Sequence, residues 1–379
     1  MNTISTLAGA IRLAPGVPIP QALQSSRPDW SGRLGRVRPP QDLPTLVSSL
    51  FSLCGQAHRL CSQLALHAAN PHLFPHQQEL PAALQRETAL EHVRRIGLDW
   101  PRQLAQHSDD AVTARALDAL RRCPLLQPTG DPAALWPAMR DWLRDECLQQ
   151  SPADWLDDWR STGTDGLLRW SLRSTSWLAV LLRGAREADV RLPLQAANAL
   201  RPQVDIHSLM AVGVALAQKP GFSIRPQWNG GCAHTGTWSR LHDDVPMPPA
   251  TAWGLLGSRI AELVRLCLPD VPRSSGQSWL TWGAIATGPG NGLAWVEMAR
   301  GLLIHQVELD SHGLVSACHV IAPTEWNFHP EGVAAQAVSS LAGSAEQVER
   351  SARLVMAALD PCVPFSIQLL EQRQEAQHA

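Results

Sequence analysis

Tyrosine is absent from this 379-residue sequence and lysine occurs once, as Lys219, against fifteen tryptophans; the bias reads as genomic composition and says little about function. Net charge is nearly absent too. A formal charge of -2 and a pI near 6.7 give no electrostatic reason to expect nucleic acid or an anionic membrane as partner. No long apolar run occurs: the most apolar stretch, 177–182, is bounded by Arg173 and Arg183 and falls far short of the roughly 20 residues a spanning helix needs. The N-terminal residues lack a basic segment followed by an apolar one, so no secretory leader and no membrane insertion are expected, and the location implied is cytoplasmic. Eight cysteines dispersed over this length do not make a disulfide framework and read as core thiols, metal ligands or redox groups. What is present is 45% hydrophobic residues, enough for a sizeable core.

The first forty residues, rich in proline and arginine, read as short strands or irregular segments. From Leu43 the spacing turns helical. Leu46, Leu50, Leu53 and Leu60, with Cys54, Ala57 and Cys61, recur at three, four and seven residues and predict one helix ending near Ala69, before Pro71. Further helices are predicted over about 79–96, 110–122, 133–148, 166–184, 195–217 and 249–267. After Trp279 the period shortens. Segments 280–287, 301–309 and 314–322 read as antiparallel strands joined by Gly-Pro-Gly-Asn-Gly (288–292) and Asp-Ser-His-Gly (310–313). A last helix is predicted over 332–359, with Val338, Leu341, Val348, Leu354, Val355 and Ala358 inward. The fold class expected is α+β, predominantly helical. Its regions are an N-terminal strand or irregular segment 1–43, a mainly helical region 44–278, an antiparallel strand region 279–331, and a C-terminal helix with an Asp-Pro-Cys segment, 332–379, integrated into one domain of residues 1–379.

Two places carry candidate chemistry. In Leu-Cys-Gly-Gln-Ala-His-Arg-Leu-Cys (53–61), Cys54, His58 and Cys61 fall at i, i+4 and i+7 of the predicted helix, a row suited to a soft metal. The same spacing serves buried cysteines packing as small hydrophobes. In Asp360-Pro361-Cys362-Val363-Pro364-Phe365 two prolines stiffen a turn and would fix the direction of Cys362, with Asp360 accepting a hydrogen bond behind it. Taken alone, this is equally a helix terminator holding an incidental cysteine. Cys123, Cys147, Cys232, Cys267 and Cys318 lack ligand spacing.

In order along the chain, these motifs resemble those of the nickel–iron hydrogenase large subunit. Cys54-Gly55-Gln56-Ala57 is similar to the family's Arg-x-Cys-Gly-x-Cys-x-x-x-His, with Ser52 at the arginine and Cys61 at the histidine. Asp360-Pro361-Cys362 is similar to Asp-Pro-Cys-x-x-Cys-x-x-His, with Phe365 at the second cysteine and Gln368 at the histidine. Between them, Leu34-Gly35-Arg36 with Pro40 and Asp42, Thr235-Gly236-Thr237-Trp238-Ser239-Arg240, Glu297-Met298-Ala299-Arg300-Gly301 with His305, and Pro323-Thr324-Glu325-Trp326-Asn327 resemble further landmarks, so the likeness runs from about residue 25 to residue 368.

In that family the first cysteine of each pair is a terminal nickel ligand and the second bridges nickel and iron. The resemblance implies that Cys54 and Cys362 keep the terminal type while Ala57 and Phe365 replace both bridging thiols. It therefore implies no hydrogenase activity and no nickel. Two thiolates remain to hold a low-spin iron carrying cyanide and carbonyl. With Gln368 at the terminal histidine and eleven residues beyond it, the family's C-terminal cleavage is not expected. These departures, with the strings Ser-Leu-Cys-Gly-Gln-Ala-His and Ala-Pro-Thr-Glu-Trp-Asn-Phe-His-Pro-Glu-Gly, are similar to hydrogenase expression/formation (maturation) proteins of the HupK or HoxV type.

The role this implies is a non-catalytic scaffold or chaperone. It would take the Fe(CN)2CO unit from a HypC-type maturation chaperone, hold it transiently, and pass it to the large-subunit precursor. By the same carry-over Cys54 and Cys362 hold the iron, with Cys61 and His58 next in line. Arg300 overhangs the site and donates to a cyanide nitrogen, its alternative being a surface ion pair. Asp360 orients neighbouring donors, Glu297 and His305 tie loops around the cleft, Trp326 and Asn327 fix a turn, and His329 has no assigned role. The alternative is a non-catalytic structural subunit of a hydrogenase-like or complex I-like assembly, which would need neither cysteine.

Overall fold

The protein is described from a computed structural model covering residues 8–34, 39–75, 82–105, 110–128, 131–202, 205–240, 248–269 and 279–369; Gly35 and Arg36 of the first short motif lie outside the described residues. Strands β1 (Ile11–Leu13) and β2 (Leu23–Ser25) pair antiparallel, Ile11 opposite Ser25. A single turn, α1 (Ser31–Leu34), precedes α2 (Leu43–Leu50) and α3 (Gly55–Ala69).

The one helix predicted from Leu43 to Ala69 is thus two. Phe51 (φ -107, ψ 54) and Cys54 (φ -138, ψ 40) leave the helical region around a short 3-10 turn, Ser52–Cys54. Two features hold the break. The Phe51 ring stacks on His58 with centroids 4.1 Å apart, and the Glu87 carboxylate accepts from the Gln56 and Ala57 N–H groups at 2.7 and 3.0 Å, satisfying orphan donors of α3. The predicted apolar face breaks with it: Leu46, Leu50 and Leu53 are 43%, 37% and 42% exposed, whereas Leu43 and Val47 turn inward.

Next, α4 (Ala82–Arg94) passes through a π-turn, Arg95–Asp99, into α5 (Trp100–Leu104); α6 (Asp110–Arg121) follows, and α7 (Pro132–Trp142) ends in a second π-turn, Leu143–Leu148. No helix was predicted where α8 (Pro152–Thr162) lies. The predicted helix 166–184 is α9 (Thr164–Arg173) and α10 (Trp177–Ala185), because the Ser176 hydroxyl caps a new start by accepting from Ala179 N–H. Asp205 likewise starts α11 (Ile206–Gln218) later than predicted, accepting from Ser208 N–H at 2.9 Å. The next helix, α12 (Ala252–Cys267), is buried nearly all round at the centre of the helical layer.

A four-stranded antiparallel sheet follows in sequence order: β3 (Trp282–Gly288), β4 (Asn291–Met298), β5 (Gly301–Leu309) and β6 (Val315–Ile321). Strand β4 was missed, having been read as part of a turn and a motif. It is apolar along its length because both faces are covered. Leu293 and Trp295 of β4, with Leu302 and Ile304 of β5, pack with Leu209, Val212 and Leu216 of α11; Ala294, Val296, Leu303 and Val307 face the main core, which includes α3. The predicted helix 332–359 is also two, α14 (Val333–Ser339) and α15 (Ala345–Leu359), after the short α13 (Pro323–Asn327); Ser344 and Gln347 form a capping box at the restart. Last comes β7 (Phe365–Ile367), which pairs in parallel with β1, Ile11 opposite Phe365. The two ends of the chain therefore share one sheet, and the class is α+β with helix dominant.

Candidate metal centre

The β1–β7 pairing explains how distant residues meet. Arg27, just beyond β2, reaches Cys362, just before β7: its Nη1 donates to Cys362 Sγ at 3.0 Å and its Nε to Glu325 Oε1 at 2.5 Å. Thr324, in the first turn of α13, accepts from the Cys362 N–H at 3.3 Å and stands 3.2 Å from its sulfur, so its hydroxyl hydrogen is free to point there. Burial opposes the Arg27 charge, but Glu325 and Cys362 outweigh it and hold the guanidinium above its ordinary range. Two donors are thus within reach of one sulfur.

Cys54 approaches from the break between α2 and α3. Burial pushes its thiol well up, with the Arg300 charge pulling the other way and the Cys362 thiol adding to the rise. The two sulfurs thus lie within electrostatic reach of each other and of Arg300, whose own charge both reinforce.

Arg300 is held from the turn between β4 and β5. Gly301 there has φ 129, and a Cβ on it would lie 2.6 Å from Thr235 side-chain atoms, so only glycine lets the strand leave this turn. Thr235 is clamped in turn by Asn327, whose side chain accepts from its N–H (2.9 Å) and donates to its C=O (2.8 Å). The arginine is only 2% exposed, so the surface ion pair is excluded. Its Nη2 donates to Glu91 at 2.8 Å and its Nε lies 3.4 Å from Asp360, while Nη1 is buried with no hydrogen-bond partner among the described residues. That is a costly state unless a ligand completes it.

Asp360 caps α15 in the left-handed region, at φ 51. Arg95 (2.9 Å), Arg259 (3.1 Å) and Arg300 surround its carboxylate; burial alone would raise its pKa, and the three arginines hold it below the usual range. The Asp360 carboxylate is thus turned to arginines, and the contacts found for it among the described residues are with Arg95, Arg259 and Arg300. An open cavity of about 470 Å³ gives solvent access to Cys362 and Asp360; Cys54 is not part of its lining.

The structure therefore gathers Cys54, Cys362, Arg300 and Asp360. It does not gather the Cys54–His58–Cys61 row, because Cys54 sits outside α3 and the i, i+4, i+7 geometry never forms. Cys61 is fully buried, its sulfur directed at the Ala294 and Leu303 carbonyls. His58 Nδ1 is 3.0 Å from His305 Nε2, and burial keeps both rings neutral, His305 down to about 3. The roles of Arg27, Glu91, Arg95, Arg259 and Thr324 were not foreseen. Only Thr324 stood in a motif that could have pointed to it.

Cys54, buried, and Cys362, half-buried, thus come from opposite ends of an α+β chain, with Arg300 beside them paired to Asp360 and Glu91. The comparisons with known proteins then give the family. Across 390 aligned residues the chain is 36% identical to the hydrogenase expression/formation protein HoxV of Cupriavidus necator, covering all of both chains. It is 31% identical to HupK of Bradyrhizobium diazoefficiens (93% of this chain, 92% of that one) and 28% identical to HupK of Rhizobium leguminosarum bv. viciae (92% of each). The chain belongs to the hydrogenase expression/formation proteins of the HoxV and HupK type. No family model matches it. Among solved structures it is similar to a chain of an NAD+-reducing nickel–iron hydrogenase in the H2-reduced state, at 14% identity and a TM-score of 0.43 over 90% of this chain and 92% of that one. Among the described residues no helix is long and apolar enough to cross a membrane.

Proposed function

We propose that this protein is a non-catalytic scaffold for assembling the nickel–iron hydrogenase centre, carrying the Fe(CN)2CO unit between Cys54 and Cys362 and passing it to the large-subunit precursor. The observation that carries the reading is the buried Nη1 of Arg300, without a hydrogen-bond partner among the described residues and within electrostatic reach of the Cys54 and Cys362 thiols. Its chemistry fits an iron fragment with cyanide: soft sulfur donors for the metal, a guanidinium N–H for a cyanide nitrogen. Binding would release the Cys54 proton, and Arg27 and Thr324 would hold the Cys362 sulfur in place.

The same residues argue against hydrogen chemistry. On the large-subunit-like reading of the fold, the bridging positions are Ala57, buried and without a donor atom, and Phe365. Nickel would have two ligands of the four, so no nickel is expected. The names of the HoxV and HupK relatives support a place in hydrogenase expression and formation. A HypC-type chaperone as iron donor, the large-subunit precursor as acceptor and a cytoplasmic setting complete the proposal. The test is infrared spectroscopy with iron analysis on protein purified anaerobically from its own host. Cyanide and carbonyl bands are expected in the parent chain and their loss in Cys54→Ala and in Cys362→Ala. Full bands in either folded variant would sink the assignment.

A further inference from the structure

Cys232, His329 and Glu331 were left without a role, yet their donor atoms all lie within 4.8 Å of one another. Their approach is built by two stiff loops. Cys232 follows a tight turn in which Asn229 (φ 51) and Gly230 (φ 77) are closed by reciprocal Trp228–Gly231 hydrogen bonds of 2.9 and 3.0 Å. His329 leaves the end of α13, is followed by Pro330, and is pinned by Gly332 N–H donating to its carbonyl at 2.8 Å. The Asn327–Thr235 clamp described above ties one loop to the other.

The atoms also face the right way. His329 Nδ1 accepts from the Glu331 N–H at 3.2 Å and stands 3.1 Å from Cys232 Sγ, so its one in-plane lone pair is shared between the two, and a bound ion would take the place of the Glu331 N–H. Burial favours the neutral ring and raises the thiol, with the Glu331 charge adding to the latter. A tetrahedral ion with ordinary Zn–S and Zn–N bonds would set sulfur and nitrogen about 3.6 Å apart, about half an ångström wider than here.

We propose that Cys232, His329 and Glu331 form a second metal site, selective for a borderline divalent transition ion such as zinc and independent of the Cys54–Cys362 pair. One thiolate, one imidazole and one carboxylate suit such an ion and not calcium or magnesium, which need a shell of oxygens, and they leave a fourth position open. The ion would clamp the exit of α13, the helix whose first turn touches Cys362 through Thr324. Ion occupancy would thereby stiffen the wall of the first site.

Cobalt(II) titration of the full-length chain carrying Cys54→Ala and Cys362→Ala tests this, with the otherwise unsubstituted chain run alongside and circular dichroism as the fold control. One equivalent of cobalt with a thiolate-to-cobalt charge-transfer band is expected, displaced by zinc. Adding Cys232→Ser or His329→Gln should abolish the band, and Glu331→Gln, which removes the charged oxygen ligand, should weaken binding by more than the roughly tenfold lost at an outer-shell partner. Absence of any thiolate–cobalt band in both folded backgrounds, or a band that survives Cys232→Ser, overturns the proposal. The iron proposal stands or falls separately, since its carbonyl bands should persist in Cys232→Ser.

Discussion

At the residue scale, Arg300 is asked to do two things: neutralise Asp360 and Glu91 in the interior and present Nη1 to the dithiol. Substitutions separate them. Arg300→Gln removes the charge but leaves Asp360 with Arg95 and Arg259 and Glu91 with Arg94, so its cost should stay below the roughly 3–5 kcal/mol of an uncompensated buried charge. Arg300→Lys keeps the charge but replaces a planar fork by a point charge. The expected outcome is a folded Arg300→Lys protein that still loads iron but shows shifted cyanide bands, with the carbonyl band moving less. A cyanide spectrum unchanged in Arg300→Lys would remove arginine from the ligand pocket. Cys54 and Cys362 should instead behave as a unit, the double Ala variant being no worse than either single one. These two cysteines were legible from their motif settings, as was Arg300. Arg27 was not: it stands in no motif, and its contact with Cys362 depends on a parallel strand pair between chain ends that no local pattern announces.

At the element scale, the local pattern found most helices and three of the four strands of the larger sheet but not β7, and it failed where the tertiary structure overrides spacing. The Leu46–Leu50–Leu53 series fits a helical stripe, yet those leucines face outward because Glu87 of a different helix and the Phe51–His58 stack fix a break the series reads through. Strand β4 was missed for the opposite reason. A strand alternating between two cores shows no polar face, so period 2 disappears from its hydropathy. The closeness of its packing against α3 gives a prediction. A Cβ on Gly292 would lie 2.0 Å from the Ala65 carbonyl oxygen and 2.5 Å from the Ala69 nitrogen, both backbone atoms that cannot rotate away. Gly292→Ala should therefore destabilise by about 1–3 kcal/mol or more, read as a lowered urea midpoint. An unchanged midpoint would mean that α3 and the sheet are not packed this closely.

At the scale of the whole molecule, the interior is polar to a degree its composition conceals: His58, His92 and His305 are buried together with Arg240, Arg259, Arg300, Glu262 and Asp360. The histidines are held neutral. His92 donates through Nε2 to Glu262 (2.8 Å) and accepts Arg259 at Nδ1 (3.2 Å), an arrangement an imidazolium could not make. Burial, then neighbouring arginines, drives its pKa well below 6.5; burial, then His305 and Arg27, does the same to His58, and burial alone takes His305 to about 3. In the unfolded chain all three titrate near 6.5, so below that pH the unfolded state binds more protons than the folded one, and stability falls as pH falls. Above about pH 7 the three contribute no slope. Each removes about 1.4 kcal/mol per unit of further acidification, until its folded pKa is reached. Asp360, held below the carboxylate range, adds its loss in the same direction only below about pH 4. These three should thus make urea unfolding at pH 7.5 and at pH 5.5 differ by roughly 4 kcal/mol, with His234, His319 and His329, also lowered by burial, acting in the same direction. His305→Gln should reduce the difference by about 1.4 kcal/mol, whatever it does to stability at pH 7.5. Equal unfolding free energies at the two pH values would show that the histidines take up protons in the folded state, and the neutral His58–His305 contact would have to be discarded.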